Sequence, residues 1–250
     1  MATQSKIEWT DRTWNPTVGC TKISQGCKNC YALDMAERLK AMGVEAYRQG
    51  FRLRILEERL SEPLDRKKPT IYFVNSMSDL FHEKIPHEFL DRVFDVMART
   101  PQHQYQILTK RADRLAEYFR AGRKPPSNAW LGVSVENRKQ GVPRIDLLRD
   151  IPASIRFLSC EPLLEDLGRL DLSGIHWVIV GGESGSRARP MDASWATRIR
   201  RQCEAQDVCF FFKQWGGWGA DGKRRSKAAN GRMLDGKTWD QMPAGFQLTA

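Results

Sequence analysis

From residue 70 onward the chain repeats one unit, a short apolar segment that ends in polar residues and is followed by a helix-like stretch. The apolar segments are residues 70–74, 104–108, 129–133, 155–158, 177–180 and 208–212. Strands that are apolar on both faces and alternate with helices form parallel sheets with right-handed crossovers. The repeat therefore predicts an α/β fold in which six strand–helix units form a partial or closed parallel barrel.

The remaining segments extend this barrel at both ends. An apolar piece at residues 7–9 is expected to be the first strand, and the charged stretch 45–60 is helix-prone. Further helices are predicted at residues 31–42, 87–99, 112–119 and 195–204, with another that ends at Arg149. We expect residues 1–214 to form one barrel domain that carries a cysteine loop at residues 19–31. Residues 215–250 are expected to be an extension, rich in Trp, Gly and Lys, that packs on the barrel mouth or on the substrate.

Polar side chains follow each predicted strand. In a parallel barrel the carboxyl ends of the strands meet at one mouth, where functional residues lie. The candidates at this mouth are Asn75, Ser76, Ser78, Asp79, Lys110, Ser134, Glu136, Cys160, Glu161 and Glu183. Simpler interpretations stay open, because Asp79 could cap a helix, Cys160 could be an inert buried thiol, and the charged side chains could lie on the surface.

Three of the six cysteines lie close together, with the spacing C-x6-C-x2-C at Cys20, Cys27 and Cys30. Glycine precedes the first two and permits the tight turns that bring thiolates to a shared metal. A zinc site would need His82 or Cys160 as a fourth ligand. A purely structural interpretation makes the three thiols buried or disulfide-bonded. The short, uneven spacing and the flanking glycines favour an iron–sulfur cluster with one open iron.

The run Asn15-Pro16-x-x-Gly19-Cys20, followed by Gly26-Cys27-x-x-Cys30-Tyr31-Ala32, resembles the cluster loop of the spore photoproduct lyase branch of the radical SAM superfamily. The whole chain also resembles a phage and bacterial family of three-cysteine-motif proteins of unknown function. Two departures stand out. The usual first gap of three residues is six here, and Asn29 stands where an aromatic residue usually precedes the last cysteine, with Tyr31 on its other side.

This resemblance implies a radical SAM-type enzyme with a [4Fe-4S] cluster on Cys20, Cys27 and Cys30 and S-adenosyl-L-methionine at the open iron. Such an enzyme generates a 5′-deoxyadenosyl radical, here expected to act on a nucleic-acid or nucleotide substrate, with electrons from a carrier such as flavodoxin or ferredoxin. By the same resemblance Asp79 would lie near the methionine end of the cofactor. Ser134 and Glu136 would lie near its ribose. The other expected cofactor contacts are Asn75, Ser76, Ser78, Lys110, Glu161 and Glu183. The catalytic candidates are Lys110 and, as a hydrogen-atom donor, Cys160.

The charge balance bears on the partner. The chain carries 40 Lys and Arg residues against 30 Asp and Glu residues, a formal net charge of +10. This excess favours a polyanionic partner, although a solvated basic surface is the simpler explanation. Trp215, Trp218 and Trp239 lie among lysines and glycines, where they could stack bases or pack over the barrel. The alternative function is that of a zinc-containing nucleic-acid-binding protein without radical chemistry.

The compartment follows from what the sequence lacks. No apolar run reaches the length of a secretion signal or a membrane span. Six unevenly placed cysteines in a chain of 250 residues favour a reducing compartment over a disulfide scaffold. We expect a cytoplasmic protein.

Overall fold

The computed structural model describes residues 3–5 and 7–244. Its main sheet contains β1 Thr3–Gln4, β2 Arg12–Trp14, β5 Ile71–Val74, β6 Gln104–Thr109, β7 Ala129–Ser134, β8 Arg156–Cys160, β9 Trp177–Gly181 and β10 Cys209–Gln214. A separate antiparallel ribbon pairs β3 Thr17–Val18 with β4 Arg54–Ile55. The helices are α1 Tyr31–Ala41, α2 His87–Ala98, α3 Ala112–Arg120, α4 Arg144–Arg149, α5 Ala193–Ala205 and α6 Lys227–Asn230.

The sheet is a curled, open half-barrel. Its strand order is β1-β2-β5-β6-β7-β8-β9-β10, and the seven strands β2 and β5 to β10 run parallel while β1 pairs antiparallel with β2. Within the described residues β10 pairs with neither β1 nor β2, so the barrel is partial. The predicted α/β parallel fold is thereby confirmed in its open form.

Alternating side chains along the strands form two separate apolar layers. Val74, Ile107, Leu158 and Val180 are at most 1% exposed and pack outward against the helices. The inner layer lines the hollow of the half-barrel and contains Trp9, Phe73, Trp130, Phe157, Trp177, Ile179 and Phe211. Each aliphatic or aromatic side chain buried in this way stabilises the fold by about 1.5–3 kcal/mol. Apolar residues on both faces of the strands therefore produced the continuous apolar runs in the sequence.

The first parallel strand lies later than residues 7–9, where it was expected. The structure has turns there, and the strand is β2, whose Arg12 pairs with Tyr72 of β5. Trp9 is 2% exposed because its indole fills the inner layer, with ring contacts to Phe73 at 4.9 Å and Trp177 at 6.0 Å. The apolar character of residues 7–9 thus reflects the burial of Trp9 in the half-barrel.

The helix expected at residues 45–60 is also wrong. This stretch contains a short 3₁₀ turn at Glu45–Tyr47, strand β4, and a second 3₁₀ turn at Glu57–Arg59. Gly50 adopts a positive φ of 64°, which ends any regular helix at that point. The other predicted helices correspond to α1, α2, α3, α4 and α5, with boundaries that differ by two residues or fewer where both ends were predicted.

The C-terminal extension packs along β10. Phe212 donates its backbone N–H to the carbonyl of Trp239 at 2.9 Å. The indole N–H groups of Trp215, Trp218 and Trp239 donate to backbone carbonyls at 2.7–2.9 Å. These contacts match the packing role that the sequence left open for the tryptophans. Residues 245–250 of the extension lie outside the described residues, and its division from the barrel as a domain stays a prediction. No helix in the described part of the chain is both long enough and apolar enough to cross a membrane.

Candidate functional site

The start of the cysteine loop packs against the turn that follows β5. Two predicted site residues in this turn hold the loop there. Asn75 donates from Nδ2 to Thr17 Oγ1 at 2.8 Å, and Thr17 Oγ1 lies 2.8 Å from Ser78 Oγ. The backbone N–H of Gly19 then bonds the carbonyl of Met77 at 3.0 Å. Gly19 has a φ of 79°, and a Cβ there would lie 2.2 Å from the carbonyl oxygen of Arg52. Only glycine fits this turn, as the sequence indicated.

The end of the loop is held by the same turn after β5. Tyr31, the first residue of α1, donates its hydroxyl to the carbonyl of Ser76 at 2.5 Å. Ser76 donates its own hydroxyl to Asn15 Oδ1 at 3.2 Å. Asn75, Ser76 and Ser78 therefore anchor both ends of the cysteine loop in this structure, and their predicted role as cofactor contacts stays a prediction.

Cys20, Cys27 and Cys30 are half-buried, and each has a free thiol. Burial, with the nearby Asp79 carboxylate, raises the pKa of Cys20 to about 11. Across residues 3–5 and 7–244 no three His, Cys, Asp or Glu side chains already surround a common metal position. The donor set itself fits an iron–sulfur cluster, because three unbridged thiols lie on one short loop over the strand ends.

Asp79 joins the ends of β5 and β6. Its carboxylate is 8% exposed and accepts three hydrogen bonds, from Thr109 Oγ1 at 2.6 Å, Lys110 N at 3.0 Å and Phe81 N at 3.0 Å. These contacts hold the backbone of Lys110 in place. The bond from the Phe81 N–H, two residues later, makes Asp79 part of a local turn as well as a link between strands.

Lys110, Ser134 and Glu136 form one group at the ends of β6 and β7. Lys110 Nζ donates to Ser134 Oγ at 3.0 Å. Glu136 is fully buried, accepts a bond from Ser24 of the cysteine loop, and pairs with Arg144 Nη1 at 2.7 Å. Burial alone would raise the pKa of Glu136, but the positive charges of Lys110 and Arg144 outweigh it and hold the pKa below its usual value. The structure thus brings these three residues together, and their predicted roles toward a cofactor stay predictions.

Glu183 links the end of β9 to the cysteine loop. Its carboxylate is 6% exposed and receives Nε and Nη2 of Arg189 at 2.8 and 2.6 Å. Asn29, which directly precedes Cys30, donates from Nδ2 to the same carboxylate at 3.0 Å. Burial raises the pKa of Glu183, but the hydrogen bonds from Arg189 and Asn29 outweigh it and leave the pKa lowered. The carboxylate is therefore ionised and holds the loop beside Cys30.

Glu161 pairs with a residue that the sequence analysis missed. Lys213 Nζ lies 3.0 Å from Glu161 Oε1, and the two side chains are 19% and 14% exposed. The register of β10 against β9 shifts between Phe212 and Gln214, so Lys213 sits at a bulge. Bulges redirect side chains. Lys213 Nζ lies 5.9 Å from the ring centroid of Trp9, so the Lys213 side chain is on the inner side of the half-barrel. The available signal was that Lys213 directly follows the apolar run 208–212, in the position that the other candidates hold after their strands.

Cys160 lies away from this group. It is fully buried in the outer layer, which packs against the helices. Its neighbours Ser159 and Glu161 lie on the inner side, where the Ser159 hydroxyl donates to the Glu161 carboxylate. Burial, together with nearby Cys203, raises its pKa well above the usual value. The position therefore gives no support to Cys160 as a hydrogen-atom donor and matches the inert buried thiol that the sequence left open.

The fourth ligands considered for zinc are engaged elsewhere. His82 is fully buried and accepts the backbone N–H of Lys84 at Nδ1, so its Nε2 carries the hydrogen and faces Thr21 Oγ1 at 3.0 Å. Burial and nearby Arg111 lower the pKa of His82, which keeps the ring neutral. With both nitrogens bonded and Cys160 in the other layer, neither residue completes a zinc site in this arrangement.

The fold is similar to that of spore photoproduct lyase. A tyrosine-to-phenylalanine variant of that enzyme has 11% sequence identity and a TM-score of 0.53, with 86% of this chain and 79% of the lyase chain covered. A cysteine-to-serine variant has 13% identity and a TM-score of 0.52, with coverage of 85% and 78%. Against a lyase variant with bound AdoMet and dinucleoside spore photoproduct, the match covers 81% of this chain but spans 63% of the lyase chain, at 13% identity and a TM-score of 0.47.

At these identities the likeness establishes the half-barrel fold alone. A search of curated proteins finds no match. A family model, in contrast, matches residues 4–243, which is nearly the entire described chain. The chain therefore belongs to the family described as "Protein of unknown function (DUF5131)".

Proposed function

We propose that this protein is a radical SAM-type enzyme that binds a [4Fe-4S] cluster through Cys20, Cys27 and Cys30 and uses S-adenosyl-L-methionine. One observation carries the proposal. Three free thiols lie on a loop that is held, at its start and its end, by the carboxyl end of a strand in a parallel half-barrel. Carboxyl ends of parallel strands are where α/β barrels place their chemistry. The likeness of the loop sequence to the spore photoproduct lyase branch, and the fold shared with spore photoproduct lyase, support this assignment.

When bound, the cluster and S-adenosyl-L-methionine supply the electron transfer and bond cleavage that yield a 5′-deoxyadenosyl radical. The residues of this chain bind and orient. Asp79 fixes the backbone of Lys110, and Lys110 uses one N–H on Ser134 and keeps further donors for a cofactor carboxylate. Glu183, which Arg189 holds in place, accepts a bond from Asn29 and thereby holds the segment that carries Cys30. The apolar side chains of the inner layer pack together in the hollow of the half-barrel.

The substrate is proposed to be a nucleic acid or a nucleotide. The net charge of +10 favours a polyanion, and phosphate contacts dominate the affinity of such complexes. Glu161 and Lys213 lie on the inner side of the half-barrel and are candidates for the uncharged part of the substrate. An external one-electron carrier such as flavodoxin or ferredoxin completes the proposed reaction.

The proposal is tested by cleavage of S-adenosyl-L-methionine. Anaerobically reconstituted protein reduced with dithionite should release 5′-deoxyadenosine and methionine. Cys30→Ala should abolish this product, whereas Cys209→Ala, which removes a half-buried thiol on β10, should not. Cluster-containing protein that forms no more 5′-deoxyadenosine than Cys30→Ala would refute the radical mechanism.

A further inference from the structure

The segment of six residues between Cys20 and Cys27 is anchored to a neighbouring loop. Residues 23–25 lie against the loop that follows β7 and are held there by two of its side chains. Gln140 accepts the backbone N–H of Gln25 at 3.1 Å and donates from Nε2 to the carbonyl of Ile23 at 3.2 Å. One side-chain amide thus satisfies a donor and an acceptor of the same short segment, which fixes its orientation as well as its distance.

Gln140 is itself held in position. Asn137 is 6% exposed, accepts the backbone N–H of Gln140 at 2.7 Å, and donates from Nδ2 to Gln140 Oε1 at 3.3 Å. A side chain that is braced in this way loses little additional conformational freedom when it binds a partner. The Gln140 side chain that holds residues 23–25 is therefore itself fixed by the β7–α4 connection.

A second contact reaches a metal-ligand candidate directly. Ser24 Oγ bonds the carboxylate of Glu136 and lies 3.7 Å from the sulfur of Cys27. Ionised Glu136 only accepts, so Ser24 donates its one hydrogen to Glu136 and accepts from the Cys27 S–H. A continuous chain of contacts runs from Arg144 through Glu136 and Ser24 to the Cys27 thiol.

The backbone at Gly26 adapts to the same carboxylate. A Cβ at this position would lie 3.0–3.1 Å from Cγ, Cδ and Oε1 of Glu136, so a larger residue would push the loop away from Glu136. The glycine before Cys27 thus serves a close approach, in contrast to Gly19 with its positive φ.

We propose that Gln140 and Glu136 are positioning residues for Cys27: they dock residues 23–25 on the β7–α4 connection and thereby set where the middle thiol of the C-x6-C-x2-C motif is presented. The long first gap then has a structural reason, because the additional residues form the part that docks. This role toward a cluster rests on the proposed function. The docking itself is a property of the protein without metal.

The docking is tested first on the metal-free protein. Ser24→Ala removes the hydroxyl that contacts Glu136 and Cys27, and Gln140→Ala removes the two bonds to the backbone of Gln25 and Ile23. Both variants leave the Glu136–Arg144 pair intact. Ser154→Ala and Gln102→Ala are the matched controls, since both residues bond backbone carbonyls at the amino ends of strands, away from the loop. Hydrogen exchange of the segment around residues 23–28 and alkylation of Cys27 relative to Cys20 in the same molecule are the readouts.

Loss of a hydrogen bond worth about 1.4 kcal/mol corresponds to roughly tenfold faster exchange from the opened segment. We expect that increase for Ser24→Ala and Gln140→Ala, a further increase for the double variant, and a higher ratio of Cys27 to Cys20 alkylation. Ser24→Thr, which keeps the hydroxyl, should restore the wild-type values. Exchange and alkylation in the double variant that match the wild type would overturn the docking proposal.

Reconstituted protein then separates this inference from the proposed function. Ser24→Ala should lose iron to a chelator several-fold faster than wild type, with an altered electron paramagnetic resonance line shape, and Ser24→Thr should not. If the metal-free variants behave as expected but wild type forms no cluster, the radical proposal fails and the docking stands. If wild type forms a cluster and Ser24→Ala retains it equally well with the same line shape, the positioning role is overturned.

Discussion

Replacing Arg144 with methionine should destabilise the fold by about 3 kcal/mol. Arg144 is 9% exposed, its partner Glu136 is 0% exposed, and the Nη1–Oε2 distance is 2.7 Å. Breaking a buried ion pair by removing one partner costs about 3–5 kcal/mol, because the other charge is left buried. Lys110 still faces Glu136 and offsets part of this loss, so the lower end applies. At about 2–4 °C per kcal/mol the melting temperature should fall by about 6–12 °C.

The control is Arg99→Met at the end of α2. Arg99 pairs with Asp95, and the two side chains are 61% and 59% exposed, so the loss of Arg99 should cost less than about 1 kcal/mol. The pKa of Glu136 is below its ordinary value of 4.5. Its pairing therefore stabilises the fold fully above the unfolded-state pKa and is lost as pH falls through the folded-state pKa. Urea unfolding followed by circular dichroism should show the Arg144→Met deficit narrowing below about pH 4. Equal losses for the two variants, or a deficit independent of pH, would refute the reasoning.

Three further substitutions probe other parts of the site. Arg189→Ala leaves the Glu183 carboxylate with fewer donors, so the unfolding free energy should fall by about 1–3 kcal/mol and amides near Asn29 should exchange faster, as hydrogen exchange can measure. Asp79→Asn places an amide donor against the Lys110 N–H, so the unfolding free energy measured in urea should fall by about 1–2 kcal/mol. Calorimetry should also show weaker binding of S-adenosyl-L-methionine. Lys213→Met removes the partner of Glu161 and should lower nucleotide binding. Iron per chain should be unchanged, because within residues 3–5 and 7–244 the Lys213 side chain contacts Glu161 and Trp9, which lie outside the cysteine loop.

The strands were predictable because a strand that is buried on both faces consists of consecutive apolar residues. The six strands predicted from residue 70 onward correspond to β5 to β10, and the strand ends do bring Lys110, Ser134 and Glu136 together. The first strand and the stretch 45–60 were not predictable in the same way. Trp9 is apolar because it fills the half-barrel, and a single positive-φ glycine at Gly50 ends a segment whose composition favours a helix.

The hydrogen-bond partners of the site residues could not be predicted from the sequence. Ser24 bonds Glu136 across a separation of 112 positions, and Asn29 bonds Glu183 across 154. Single-sequence patterns report local periodicity and carry no signal for contacts of this range. The polar strand ends thus indicated which residues gather at the mouth. They did not indicate that several of them hold the cysteine loop.

The most direct test of the central claim is a metal count on anaerobically reconstituted protein, with iron, sulfide and zinc measured on the same sample. The account predicts about four irons per chain, a visible charge-transfer band, and loss of both in Cys27→Ala. Zinc at about one per chain, with no iron–sulfur cluster formed, would contradict it.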